Sequence, residues 1–179
     1  MSTSFKSAMD RLKANIRDIP DFPKPGIVFK DITPILSDGQ LFRLAVTIFA
    51  ERYQRKSVEK IVAIDARGFI FGGALAHYLG IGLAVVRKKG KLPFSSHEIE
   101  YALEYGQGVL EIHTDAIKPG QRVVIIDDLL ATGGTAEGAA KLVQKCGGEI
   151  VELAFLVELA FLNGRERLKN YPVFSAINC

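Results

Sequence analysis

The sequence predicts an α/β fold, a mainly parallel sheet flanked by helices. Three observations predict it. Short apolar runs alternate with stretches of helical periodicity, the pattern of strands joined by helical crossovers. The run Arg122-Val-Val-Ile-Ile-Asp-Asp-Leu-Leu-Ala-Thr-Gly-Gly-Thr135 places an apolar segment, suited to a strand buried on both faces, directly before a Gly-rich turn and a helix. The chain has 179 residues, 48% hydrophobic and 24% charged, enough for one domain with a substantial core. No internal repeat or low-complexity segment appears, so 1–179 reads as a single domain.

The elements follow in order. Residues 1–17 are polar with Phe5, Met9, Leu12 and Ile16 on one side, an amphipathic helix rather than a leader. Pro20, Pro23, Pro25 and Gly26 break it and open a turn region, followed by a short extended piece at 27–29. Asp38 is placed to cap a helix over 39–55, whose Leu41, Leu44, Ala45, Ile48 and Phe49 keep helical spacing. Residues 60–65 read as a buried strand, 69–79 as a helix in which Gly72 and Gly73 allow close packing, and 82–87 as the next strand. Residues 88–97 are basic, then polar, without periodicity, and predict a long loop of the kind that serves as a lid. Residues 101–105 and 109–113 predict a hairpin about Gly106-Gln-Gly108. The Arg122 strand leads to a helix over 136–145, closed by Gly147-Gly148. A strand at 150–157, a short helix or turn at 163–168 and a strand at 173–177 complete the chain.

The segment from Arg122 to Thr135 carries the chemistry. Two carboxylates, Asp127 and Asp128, stand at the carboxyl end of a strand, where open α/β sheets bind ligands. The turn Ala131-Thr132-Gly133-Gly134-Thr135 lets backbone N–H groups approach an anion, and the helix behind it adds partial positive charge. A phosphate cradle beside two acids suits a sugar phosphate. No Walker spacing and no Gly-x-Gly-x-x-Gly occurs. Ala66-Arg67-Gly68-Phe69 follows another strand; its arginine reads either as a fork for phosphate oxygens or as part of a salt-bridged turn. Arg87-Lys-Lys-Gly-Lys-Leu-Pro93 is a basic run at a strand end, read as a solvated face or as a counter-charge for an anion. In Asp21-Phe-Pro-Lys-Pro-Gly-Ile-Val-Phe-Lys-Asp31, Phe29 is either a core aromatic or a stacking platform.

Composition excludes little more. A formal charge of +3 does not require nucleic acid. The longest apolar stretch, 153–162, is interrupted by Glu158 and is too short to span a bilayer. Cys146 and Cys179 form no metal-ligand pattern and read as reduced thiols, while His77, His97 and His113 are scattered. A cytoplasmic protein binding neither nucleic acid nor membrane is expected.

The segment ending in Thr135 resembles the 5-phosphoribosyl 1-pyrophosphate (PRPP) motif of type I phosphoribosyltransferases. The run Arg87 to Pro93, the run Tyr101-Ala-Leu-Glu-Tyr-Gly106 and the run Asp21 to Asp31 are similar to the adenine branch of that family. The resemblance implies the type I phosphoribosyltransferase fold with a small N-terminal hood at 1–35 and a flexible lid loop at 88–106. It implies purine salvage, in which adenine and PRPP give AMP and pyrophosphate with Mg²⁺, held mainly by the substrate pyrophosphate. Ala131, Thr132, Gly133, Gly134 and Thr135 would grip the 5′-phosphate, while Asp127 and Asp128 face the ribose. Ala66, Arg67, Arg87, Lys88 and Lys91 would receive pyrophosphate. Val28, Phe29, Lys30, Arg67 and Leu129 would contact adenine, with Lys30 standing where many members have arginine. Glu104 would act near the base, and a homodimer is implied. The alternatives are a phosphoribosyltransferase for another nucleobase and a non-catalytic PRPP-sensing regulatory protein.

Overall fold

The computed structural model describes residues 3–102 and 107–179, which fall into two compact units, 1–48 and 49–179. In the first, helix α1 (Thr3–Lys13) precedes an antiparallel ribbon of β1 (Arg17–Ile19) and β2 (Phe29–Asp31), then helix α2 (Thr33–Ser37) and the start of helix α3 (Gly39–Tyr53). The ribbon pairs Arg17 with Asp31 and Asp18 with Lys30, and opposite charges close both pairs. Arg17 Nη2 donates to Asp31 Oδ2 at 2.6 Å, and Lys30 Nζ donates to both Asp18 oxygens at 2.7 and 2.8 Å. Asp31 also accepts the Thr33 N–H at 2.9 Å and hydroxyl at 2.8 Å, which ends the strand and begins α2. Those bonds, the Thr33 N–H first, hold its carboxyl below the usual range. Asp38 caps α3 as expected, accepting the N–H groups of Gln40 at 2.7 Å and Leu41 at 3.0 Å. The sequence reading missed β1 and α2, which are too short to show a period.

The second unit holds β3 (Lys60–Ile64), α4 (Gly68–Leu79), β4 (Gly82–Lys88), β5 (Ser96–Ala102), β6 (Gln107–His113), β7 (Arg122–Leu130), α5 (Gly134–Lys145), β8 (Glu149–Glu158), two 3₁₀ turns (Ala160–Leu162 and Gly164–Leu168) and β9 (Val173–Asn178). The sheet order is β5-β6-β4-β3-β7-β8-β9. Strands β4, β3, β7, β8 and β9 run parallel; β6 and β5 add an antiparallel edge. Both faces are covered. Ala63 and Ile126 face α4, where a β-carbon on Gly72 would lie 2.6 Å from that of Ala63. Gly73 has open space around it, so of the two glycines expected to allow close packing only Gly72 does. Val62, Ile64 and Ile125, one residue out of phase, join Ala139, Ala140, Leu142 and Val143 of α5 in a buried cluster.

The chain leaves β3 for β4 on one side and later leaves β7 for β8 and β9 on the other. The direction of winding reverses between β3 and β7, and a crevice opens at their carboxyl ends. The expected loop at 88–97 is shorter. Strand β4 runs through Lys88 and β5 begins at Ser96. In β5 Ile99 and Tyr101 turn inward while Glu98 and Glu100 face solvent, an alternation concealed by the charged flanks.

Candidate active site

At the carboxyl ends of β3 and β7 lies a cleft of about 320 Å³, lined by Asp65, Ala66 and Arg67 on one side and by residues 127–136 on the other. That volume suits a small ligand. The apolar run of β7 is buried on both faces, and it delivers Asp127 and Asp128 at the crevice. Asp128 is only 5% exposed, so the reading of exposed acids is set aside. Arg67 Nε donates to Asp128 Oδ2, and the Asp128 N–H donates to Asp127 Oδ1 at 2.8 Å. Arg67 does form a salt bridge, and its partner is the motif's own carboxylate. Burial first, then the neighbouring Asp128 charge, pushes the Asp127 carboxyl well above the ordinary carboxylate range; the Arg67 charge opposes this without reversing it.

The loop 131–135 is built backbone against backbone. Gly133 has φ +83°, and a β-carbon there would overlap the Gly164 carbonyl oxygen. A β-carbon on Gly164 would in turn overlap the Ala131 carbonyl oxygen. No side chain caps α5, which leaves its first-turn N–H groups for an anion.

The basic run gathers on Asp65. Arg87 Nε donates to Asp65 Oδ2 at 3.1 Å, and Lys91 Nζ lies 3.4 Å from the same oxygen. Arg87 Nη1 also donates to the Lys91 carbonyl at 3.2 Å. Lys88 lines the cleft, whereas Lys89 pairs with Glu98 at 2.7 Å.

Of the residues singled out from sequence, Ala66, Arg67, Lys88, Asp127, Asp128, Leu129 and 131–135 line one cleft, and Arg87 and Lys91 join it through Asp65. Val28, Phe29 and Lys30 lie in the first unit. Val28 is exposed, the Phe29 ring meets Phe22 edge-on at 5.3 Å, and the Lys30 ammonium is held by Asp18. Glu104 lies outside the described residues. Sequence reasoning missed Asp65, Tyr101 and Phe155, which also line the cleft. Asp65 had a legible signal, since it too follows an apolar run.

The phosphoribosyl transferase domain model matches residues 35–177. An adenine phosphoribosyltransferase of Methylacidiphilum infernorum (isolate V4) is 58% identical over 177 residues, 99% of each chain. The chain belongs to the adenine phosphoribosyltransferase family. Solved structures agree. Adenine phosphoribosyltransferase from Rhodothermus marinus DSM 4252 is 51% identical, with a TM-score of 0.91 over 97% of this chain and 99% of its own. The Saccharomyces cerevisiae enzyme, complexed with D-2,5-dideoxy-2,5-imino-altritol 1,6-bisphosphate and adenine, is 39% identical with a TM-score of 0.91, over 95% and 98%. The type I phosphoribosyltransferase fold expected from sequence is the fold of this chain.

Proposed function

We propose that this protein transfers the 5-phosphoribosyl group of PRPP to adenine, releasing AMP and pyrophosphate, as a step of purine salvage. One observation carries the reading. A single cleft sets two carboxylates between an uncapped helix N-terminus and a cluster of cations, in a chain of this family. The loop 131–135 takes the 5′-phosphate. Asp127 and Asp128 take the ribose hydroxyls and offset the positive charge that grows on the ring. Ala66, Arg67, Arg87, Lys88 and Lys91 take the pyrophosphate. The C1–oxygen bond breaks with its electron pair leaving on pyrophosphate, and adenine N9 bonds to C1 and gives up its proton, a task assigned to Glu104.

Arg67 links the two ends of the reaction. Its guanidinium rests on Asp128; moving onto pyrophosphate would release the Asp128 carboxylate to the ribose. Among the described residues no group of three or more His, Cys, Asp or Glu converges. The cleft therefore suits a hard cation carried by the substrate rather than caged by protein, with Asp127 and Asp128 as the carboxylates facing it. Mg²⁺ so held would neutralise pyrophosphate charge.

Leu129 and Arg67 are assigned to the purine. Val28, Phe29 and Lys30 are assigned to base recognition, by a backbone bond, by stacking and by charge. The whole chain is read as one phosphoribosyltransferase domain. In it 1–35 serves as the hood and 88–106 as a lid that excludes water. A homodimer and a cytoplasmic location are part of the proposal. No helix among the described residues is long and apolar enough to cross a membrane.

The test supplies PRPP and Mg²⁺ with adenine, hypoxanthine, guanine, xanthine or orotate in separate reactions. AMP from adenine alone is expected. Turnover with another base only would overturn the base assignment. Binding of PRPP without turnover of any base would replace the enzyme with a PRPP sensor.

A further inference from the structure

Glu111 lies on β6 and has no place in the reaction described above. It is 3% exposed and sits opposite Arg87 in the β4–β6 pairing. A buried carboxylate is costly unless its oxygens are satisfied. Its donors come from the turn that follows β4. The Lys91 and Leu92 N–H groups both donate to Glu111 Oε1 at 2.8 Å, and the Ser96 hydroxyl lies 3.5 Å from Oε2. Burial pushes the carboxyl upward, but the Leu92, Lys91 and Gly90 amides and the Ser96 hydroxyl outweigh it and hold it below the ordinary range.

The turn gripped by this carboxylate delivers the cations. Lys91 contributes its ammonium toward Asp65 and its carbonyl to Arg87, whose Nε reaches the same Asp65 oxygen. Gly90, at φ +84°, reverses the chain just before Lys91. A lysine on an unanchored turn would spread its ammonium over many rotamers, whereas an anchored backbone leaves only the side chain to order. A glutamate that served packing alone gains nothing over an apolar residue of similar size.

We infer that Glu111 is a positioning residue. Through the backbone of residues 91–92 it fixes Lys91, and through the Lys91 carbonyl it fixes Arg87, for the leaving pyrophosphate. The inference rests on the proposed phosphoribosyl transfer for the identity of the anion.

Calorimetric binding of Mg²⁺-pyrophosphate and of AMP is measured on the full chain for wild type, Glu111→Ala, Glu111→Gln, Lys91→Ala and the Glu111→Ala/Lys91→Ala double variant. Glu111→Ala should weaken pyrophosphate roughly tenfold or more while leaving AMP nearly unchanged. Glu111→Gln keeps the acceptor oxygen and should restore part of the loss. The double variant should lose less than the sum of the two single losses, since Glu111 acts in part through the Lys91 ammonium and otherwise through Arg87. Unchanged pyrophosphate binding in Glu111→Ala, equal loss of pyrophosphate and AMP, or additive losses in the double variant would each overturn the inference. If Glu111→Ala fails to fold, Glu111→Gln decides: a partial loss of pyrophosphate binding with AMP binding kept supports the positioning role, and pyrophosphate binding at the wild-type level contradicts it. Turnover of adenine and PRPP by the wild type is recorded separately. Wild type that binds pyrophosphate without forming AMP would sink the proposed function, not the role of Glu111.

Discussion

Asp127 is a residue whose chemistry works against the fold. Burial, then the Asp128 charge, raises its carboxyl well above the usual range. A group with a raised folded-state pKa contributes stability that is fully present below the unfolded-state pKa and is lost as pH rises through the folded value. The raised Asp127 carboxyl therefore costs the fold stability as pH rises above the unfolded-state carboxylate range, as functional groups often do. Asp127→Asn keeps an oxygen to accept the Asp128 N–H. It should raise Tm at pH 8 by about 2–8 °C, with the gain shrinking toward pH 4, while AMP formation falls about 100-fold or more. Thermal denaturation across pH checks the first part, and a lower Tm at pH 8 would contradict it. Asp127 and Asp128 were legible because two adjacent acids ending an apolar run are rare. Glu111 was not, because one glutamate in an ordinary strand alternation carries no mark of the turn it holds.

At the scale of elements, the strand–loop–helix from β7 to α5 was legible whole, since each local choice agrees with the next. The apolar run, the carboxylates, the glycines and the helix all point to one geometry, and the structure shows it. What the sequence hid is the support behind the loop. The 3₁₀ turn Gly164–Leu168 presses its Gly164 carbonyl against Gly133. The turn is pinned by Arg165, whose Nε and Nη2 donate to Glu158 at 2.7 Å. Gly133→Ala adds a β-carbon at a positive φ and into that carbonyl. It should cost about 1–3 kcal/mol of stability and about 100-fold in kcat/KM for PRPP through displacement of the loop. Kinetics with PRPP as the varied substrate check this, and near-wild-type values would show that the loop is not held as described. Strand β5 shows the opposite failure of legibility: Glu98 to Tyr101 alternate as a strand should, but they follow a basic, aperiodic run that predicts a loop.

At the scale of the molecule, class and connectivity were legible but strand order was not. Apolar patterning marks β3, β4, β7, β8 and β9; only packing decides that β3 lies beside β7 and that β6 and β5 fold back as an antiparallel edge. Nor did sequence disclose the long-range anchor in the second unit at Glu152. This buried carboxylate on β8 receives Arg52 Nε at 2.5 Å, Arg52 Nη2 at 2.7 Å and the Tyr53 hydroxyl at 2.8 Å. Burial raises its pKa, but the Arg52 and Tyr53 bonds, then the Arg52 and Lys56 charges, hold it below the ordinary range. A depressed carboxyl contributes stability present above its unfolded-state pKa and lost as pH falls through the folded value. Glu152→Gln should therefore lower stability at pH 7 by about 1–3 kcal/mol, a difference that fades in acid. Denaturant unfolding at pH 7 and in acid checks the sign; an equal loss at both would contradict it.

Every role proposed for the cleft between the β3 and β7 ends depends on phosphoribosyl transfer to adenine. Phosphorus NMR of the protein with PRPP, adenine and Mg²⁺ tests it most directly, because it resolves PRPP, AMP, pyrophosphate and ribose 5-phosphate together. Phosphoribosyl transfer replaces PRPP by AMP and pyrophosphate in equal amounts, and only when adenine is present. PRPP left unchanged, or converted to ribose 5-phosphate without AMP, would contradict it.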